Sequence, residues 1–289
     1  MTSSTREPAP ATSCTGPEVS LGRISYLNVL PIYYPLENGI IPNDFKFVSG
    51  PPARLNELMA QGELDLSSAS SIEYGRHFED YLLLPNLAIG SQGPVQSVLL
   101  LSRLPLQDLK DRAVLISSQT HTSAALLRLI LAKDNIQAPT TPGDIYTALK
   151  SSSPPAAFLA IGDEALRLRN LEAYPYQLDL GQAWLEWTGL PFIFGVWVVS
   201  RKALDHKRQA LVKARHKLLA SKQWGRQRID FFCDLISRQG ILNHQKLKSY
   251  FQGLVYEFGS RQRQGLTVFY QALVQAGHLS RMPRLDFFD

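Results

Sequence analysis

The chain has 289 residues, a formal net charge of +5 and 45% apolar residues, as expected of a soluble globular protein with one large or two ordinary domains. It lacks the run of about eighteen apolar residues that a membrane-spanning helix needs, so no membrane partner is expected. Two cysteines, Cys14 and Cys233, are too few for a disulfide framework or a cysteine zinc site, and the six histidines show no metal-ligand spacing.

Residues 1–18 are rich in Ser, Thr and Pro and have no apolar segment, so they read as a disordered tail and not as a signal peptide. A cytoplasmic location is the resulting expectation. The next stretch, LGRISYLNVLP (Leu21–Pro31), begins as a short strand with Ile24 and Tyr26 two apart. It ends at Asn28, before Pro31, a residue suited to a first helical turn. In open α/β sheets, ligands bind at the carboxyl ends of strands. The Asn28 amide either holds a ligand hydroxyl or carboxylate, or satisfies its own turn.

Phe45–Val48 reads as a strand, and Leu55, Leu58 and Met59 as a short helix stopping at Gly62. Leu64–Ala69 is a buried strand running into Ser70-Ser71-Ile72-Glu73, a capping-box pattern with Ser70 at the N-cap. Tyr81–Ile89 and Gln96–Leu101 are further strands, and Ser97 opens the second. Ala113–Ile116 leads through SSQTHTS (Ser117–Ser123) into a helix with Leu126, Leu127, Ile130 and Leu131 on its apolar face. Ala156–Ile161 leads into Gly162-Asp163-Glu164. Leu178–Leu180 is a short strand, Trp187–Pro191 a loop, and Phe192–Val199 an apolar strand. Helical spacing then runs to the end.

Between Arg201 and Arg228 lie ten Lys or Arg and one acid, Asp205. Leu204, Leu211 and Leu218 recur along this segment, so it reads as a helix with a solvated basic face. No stacking aromatics accompany the charge, and nucleic acid is not an expected partner.

Each helix tip offers unpaired N–H groups and a positive dipole end. Ser70, Ser71, Thr120, Thr122 and Ser123 add hydroxyls there; with Asn28 and Ser97 they suggest a cleft for a small ligand bearing carboxylates. Ordinary capping is the competing reading. His121 either points into this cleft or, alternating with Thr120 and Thr122, turns to solvent. Asp163 is either a general base or a cap. Strands alternating with helices imply mostly parallel sheets in two α/β lobes.

Five segments together resemble the chorismate dehydratase family of the futalosine route to menaquinone: RISYLNVLPIYY (Arg23–Tyr34), GELDLSSASSIEY (Gly62–Tyr74), SQTHTS (Ser118–Ser123), AIGDEAL (Ala160–Leu166) and WTGLPFIFGVW (Trp187–Trp197). Tyr26-Leu27-Asn28 favours this enzyme over the sister dihydroxynaphthoate synthase of the same route. The resemblance implies a two-lobed periplasmic-binding-protein-like fold of type II with a helical C-terminal region. One lobe would comprise residues 19–97 and 195–289, the other residues 98–194. The implied reaction is dehydration of chorismate to 3-[(1-carboxyvinyl)oxy]benzoate without a cofactor or metal. The family's substrate-contacting Asn and Ser carry over onto Asn28 and Ser97 as catalytic residues. Tyr26, Ser70, Ser71, Thr120, Thr122 and Ser123 are the implied substrate-binding set. A small-carboxylate-binding protein is the rival reading.

Overall fold

The computed structural model describes residues 18–117 and 120–289. The expected tail up to residue 17, with Cys14, and Ser118 of the SQTHTS segment lie outside the described residues.

The first sheet opens with β1 (Val19–Arg23), which runs parallel to β2 (Phe45–Ser49) and β3 (Leu66–Ser70); β4 (Tyr81–Ser91) follows. The chain then builds a second sheet from β5 (Val98–Ser102), β6 (Val114–Ile116), β7 (Thr140–Pro142), β8 (Ala157–Ile161) and β9 (Tyr176–Asp179), in the order β7-β6-β8-β5-β9. It returns to the first sheet as β10 (Phe192–Ser200), inserted between β3 and β4, and adds β11 (Leu254–Val255) at the β4 edge. The expected lobe boundary at 194/195 falls inside β10, whose Phe192 already pairs with Ser91.

The two-lobed α/β architecture matches the expectation, but the sheets are mixed and not mostly parallel. Among the described residues, four ladders are parallel and five antiparallel. Every antiparallel ladder involves β4, β5 or β10, the strands that flank the two passages between the sheets. Apolar runs mark buried strands but carry no direction. β1 also stops earlier than expected, at Arg23; Leu27–Val29 forms a 3-10 turn.

Helices α1 (Leu30–Glu37), α2 (Pro52–Gln61) and α3 (Ser71–Arg76) follow the strands of the first sheet. Pro31 sits in the first turn of α1, and Gly62, left-handed at φ +80°, ends α2. In the second lobe come α4 (His121–Lys133), α5 (Ile145–Leu149), α6 (Gly162–Leu168) and α7 (Leu180–Thr188). The expected loop at Trp187 is therefore the last turn of α7. The C-terminal helices are α8 (Arg201–Arg226), α9 (Ile229–Ser237), α10 (His244–Gly253) and α11 (Ser260–Gln275). One continuous core runs through both lobes. β5 is buried on both faces: Val98 and Leu100 join that core, and Leu99 and Leu101 a smaller cluster with Phe158 and Tyr174.

The basic segment is indeed a helix, α8, and some of its cations pair with acids of other elements. Lys207 reaches Asp65 at 2.8 Å, Arg201 reaches Asp286 at 2.6 Å, and Lys217 and Arg226 pair with Asp44 and Glu257. Leu211, Ala214 and Leu218, spaced i+4, i+7 and i+11 from Lys207, are buried along the same face. Gly225 lies so close to the Pro31 carbonyl that any Cβ would collide, which fixes α1 and the turn before it. Asp65 is buried; it accepts from the Ser20 amide and hydroxyl, both at 2.8 Å, and from Lys207. Asp65→Ala strands these donors and is expected to cost roughly 3–4 kcal/mol in urea denaturation. Lys207→Ala, which removes one half-exposed partner, is expected to cost less than half of that.

Candidate active site

A cavity of about 130 Å³ lies between the two sheets. β3, β4 and β10 of the first sheet, the turn after β1, the passage into β5, and the starts of α4 and α6 all contribute to its wall. Among the described residues, its lining contains no Asp, Glu, Lys or Arg.

Seven of the eight expected site residues line it: Tyr26, Asn28, Ser70, Ser97, Thr120, Thr122 and Ser123. Ser71 does not. It is fully buried, and its hydroxyl donates to the Ile193 carbonyl of β10 at 2.5 Å, joining α3 to the sheet. A hydroxyl at a helix tip adjacent to a strand finds the strand's carbonyl before it finds a ligand.

Asn28 is held from behind. Its carbonyl accepts from the Tyr256 hydroxyl at 2.9 Å, while its side-chain Oδ1 is buried with no partner. Two further residues of the lining, Ser68 and Trp197, carry buried polar atoms with no hydrogen bond of ordinary geometry; both lie beside the buried Tyr33 phenol and counter the rise that burial gives its pKa. Ser68 and Trp197 are directly opposite in the β3–β10 ladder. Neither was expected from the sequence, because both sit inside strands and not at strand–helix junctions. Among the described residues, few buried side-chain polar atoms lack partners, and Asn28 Oδ1 in this wall is one of them. Such atoms cost about 1–3 kcal/mol each, so a ligand that supplies partners gains correspondingly.

Ser97 is buried; its hydroxyl donates over 3.4 Å to the Val95 carbonyl and also lies against the buried Tyr250 phenol. Its position is set by Asp179, whose carboxylate accepts from the Val95 amide at 3.0 Å and the Gln96 amide at 2.7 Å. The same carboxylate caps α7 through Gly181 and Gln182. Gln96, left-handed at φ +63°, accepts from Arg169 and donates to the Ser249 carbonyl, bridging the lobes beside Ser97. Burial pushes the Tyr250 phenol up, an interaction with Ser97 draws it back, and Asp163 adds to the rise.

Ser70 is the N-cap of α3 and accepts from the Glu73 amide at 3.3 Å. Thr120 shares a hydrogen bond of 2.8 Å with Ser117. Thr122 is a bridge between lobes: its hydroxyl accepts from the Ile72 amide of α3 at 3.0 Å. Asp163 forms a second such bridge, accepting from the Leu27 amide at 3.1 Å. It lies outside the cavity lining and does not cap α6, whose N-cap Ile161 makes no side-chain bond; burial raises its carboxyl pKa. His121, by contrast, lines the cavity and does not simply turn to solvent. Among the described residues, no cluster of three or more His, Cys, Asp or Glu could hold a metal ion, and no helix is long and apolar enough to cross a membrane.

Residues 19–275 match the sequence model of a menaquinone-biosynthesis family. This chain belongs to that family. Among its relatives, a chorismate dehydratase of Thermus thermophilus is 29% identical over 272 residues, covering 88% of this chain and 94% of the relative. A chorismate dehydratase of Campylobacter jejuni is 32% identical over 189 residues, covering 63% and 69%. The fold is that of periplasmic binding proteins. The alkanesulfonate-binding protein of Xanthomonas axonopodis superposes with a TM-score of 0.66 at 15% identity, covering 94% of this chain and 96% of that one. The aliphatic sulphonate-binding protein of Escherichia coli gives 0.64 at 14%, covering 93% and 90%.

Outside the cavity, Glu164 is half-buried and its carboxyl is pushed up to about 7, first by burial and then by Asp144. Its unfolded value is lower, so between about pH 4.5 and 7 the folded state binds the extra proton and stability falls as pH rises. Glu164→Gln is expected to flatten that fall; thermal melts of both proteins at pH 5 and pH 8 check it.

Proposed function

We propose that the protein dehydrates chorismate to 3-[(1-carboxyvinyl)oxy]benzoate, the opening step of the futalosine route to menaquinone, without a cofactor. The support is the naming of both relatives as chorismate dehydratases and a cavity whose hydrogen-bonding groups suit a small oxygen-rich molecule. The buried, partnerless Asn28 Oδ1, in a lining otherwise supplied with Ser and Thr hydroxyls, is the observation that carries this reading.

In the proposed reaction the ring carbon bearing the ether loses its proton, and the neighbouring hydroxyl leaves as water. Aromatisation of the ring drives the step. Among the described residues, the lining carries no carboxylate or lysine to act as base. In this reading the carboxylate of the enolpyruvyl arm takes the proton, and the protein acts by orientation and by excluding water. Asn28 is assigned to the leaving hydroxyl or to that carboxylate. Ser97 fixes the ring. The hydroxyls at the start of α4, from Thr120, Thr122 and Ser123, with Ser70 opposite, receive the carboxylates, aided by the helix dipole. Tyr26, packed on Gly162 of the other lobe, closes the cavity over the ring.

Incubation of the pure protein with chorismate is expected to produce the ultraviolet spectrum of an aromatic enol ether. Binding with no spectral change would indicate a receptor. Asn28→Asp and Ser97→Ala are each expected to lower turnover roughly 10²-fold, the scale of losing one oriented hydrogen bond in a reacting site. His121→Ala separates the two possible proton acceptors: a small loss supports the substrate's own carboxylate, and a loss of several hundredfold assigns the proton to the imidazole.

A further inference from the structure

Two grooves flank the cavity, and they carry opposite charge. One is lined by Ile72 and Arg76 of the first lobe, by Arg128 of α4, and by His278 near the C-terminus. It shares Thr120 and His121 with the cavity, so these two residues form the partition between them. Among the described residues, no Asp or Glu lines it. Arg76 and Arg128 are both exposed. Among the described residues neither guanidinium meets a carboxylate; Arg128 donates only to the Thr140 hydroxyl, at 3.2 and 2.7 Å. By contrast, Arg201, Lys207, Lys217 and Arg226 of α8 pair with Asp286, Asp65, Asp44 and Glu257.

The second groove shares Tyr26 and Ile161 with the cavity and is lined by Asp144, Asp163 and Glu164. The two grooves meet at Ser117 and Pro142. An anion approaching the cleft therefore meets attraction on one side of this rim and repulsion on the other. Fields focused in such clefts raise association rates by 10–10³-fold and weaken steeply with salt.

We propose that the Arg76–Arg128 groove is an encounter site that captures one carboxylate of an aromatic or cyclohexadienyl dicarboxylate and passes it across Thr120 and His121 to the start of α4. The inference rests on the reading of the ligand as a small dicarboxylate. It adds a second, charged subsite to a cavity whose own wall is uncharged. The acidic groove makes the route one-sided. A dianion loaded from the Asp144 side would pass the acidic side chains of Asp144, Asp163 and Glu164, whereas from the Arg76 side it passes two guanidinium groups.

The test is stopped-flow mixing of the full-length protein with chorismate, followed by tryptophan emission, since Trp197 lies in the cavity wall. The association rate constant is expected to fall at least tenfold between ~0.01 M and ~1 M salt, where the screening length shrinks from about 30 to about 3 Å. Arg76→Gln combined with Arg128→Gln is expected to lower it roughly tenfold at low salt and to match the parent at high salt. Asp144→Asn is expected to raise it at low salt. A wild-type rate indifferent to salt, or variants indistinguishable from the parent at low salt, would overturn the encounter site while leaving the proposed reaction standing. Should the double variant fail to fold, the two single variants and the salt dependence of the wild type decide. If chorismate does not bind at millimolar concentration, the reading of the ligand fails and takes the encounter site with it.

Discussion

A buried polar group with unmet hydrogen-bonding capacity is unfavourable, and this fold gathers three polar groups, Asn28 Oδ1 among them without any partner, in the residues of one cavity wall. Asn28 Oδ1, Ser68 Oγ and Trp197 Nε1 come from a 3-10 turn and two neighbouring strands. Much of the architecture around them serves to keep them there. Tyr256 holds the Asn28 backbone, Gly225 seats α8 directly on the carbonyl of Pro31, and β10 lies between β3 and β4 so that Trp197 stands opposite Ser68. Asn28 Oδ1 would gain by meeting a polar ligand, and none of the three can relax toward solvent.

The lobes are joined over this wall by single hydrogen bonds as well as by the two passages of chain. Thr122 accepts from the Ile72 amide, Asp163 from the Leu27 amide, and Gln96 spans Arg169 and Ser249. Bonds of this kind contribute net about 0.5–1.5 kcal/mol each, enough to favour closure and weak enough to be broken for release. Thr122 thus has two tasks: its lone pair holds the lobes together, and its proton remains available to the cavity.

Much of this could be read from the sequence where local chemistry decides the outcome. The Ser70–Glu73 cap, the Pro31 start of α1, the Gly62 stop and the start of α4 after Thr120 all depend on residues within a few positions of one another. Strand direction did not follow, because the burial of β4, β5 and β10 looks the same whichever way they run. Ser71 was misplaced because its hydroxyl answers to Ile193, 122 positions away. Ser68 and Trp197 were overlooked for the same reason. Only the register of β3 against β10 sets them side by side, and no motif records a register.

The most direct measurement follows the indole N–H of Trp197 by ¹⁵N-correlated NMR, assigned through Trp197→Phe, as 3-[(1-carboxyvinyl)oxy]benzoate is added. If the polar groups of this wall are the ligand's partners, this resonance moves downfield and saturates with the bound fraction, and its exchange with solvent slows. An indole signal that stays in place while the ligand binds would contradict the account.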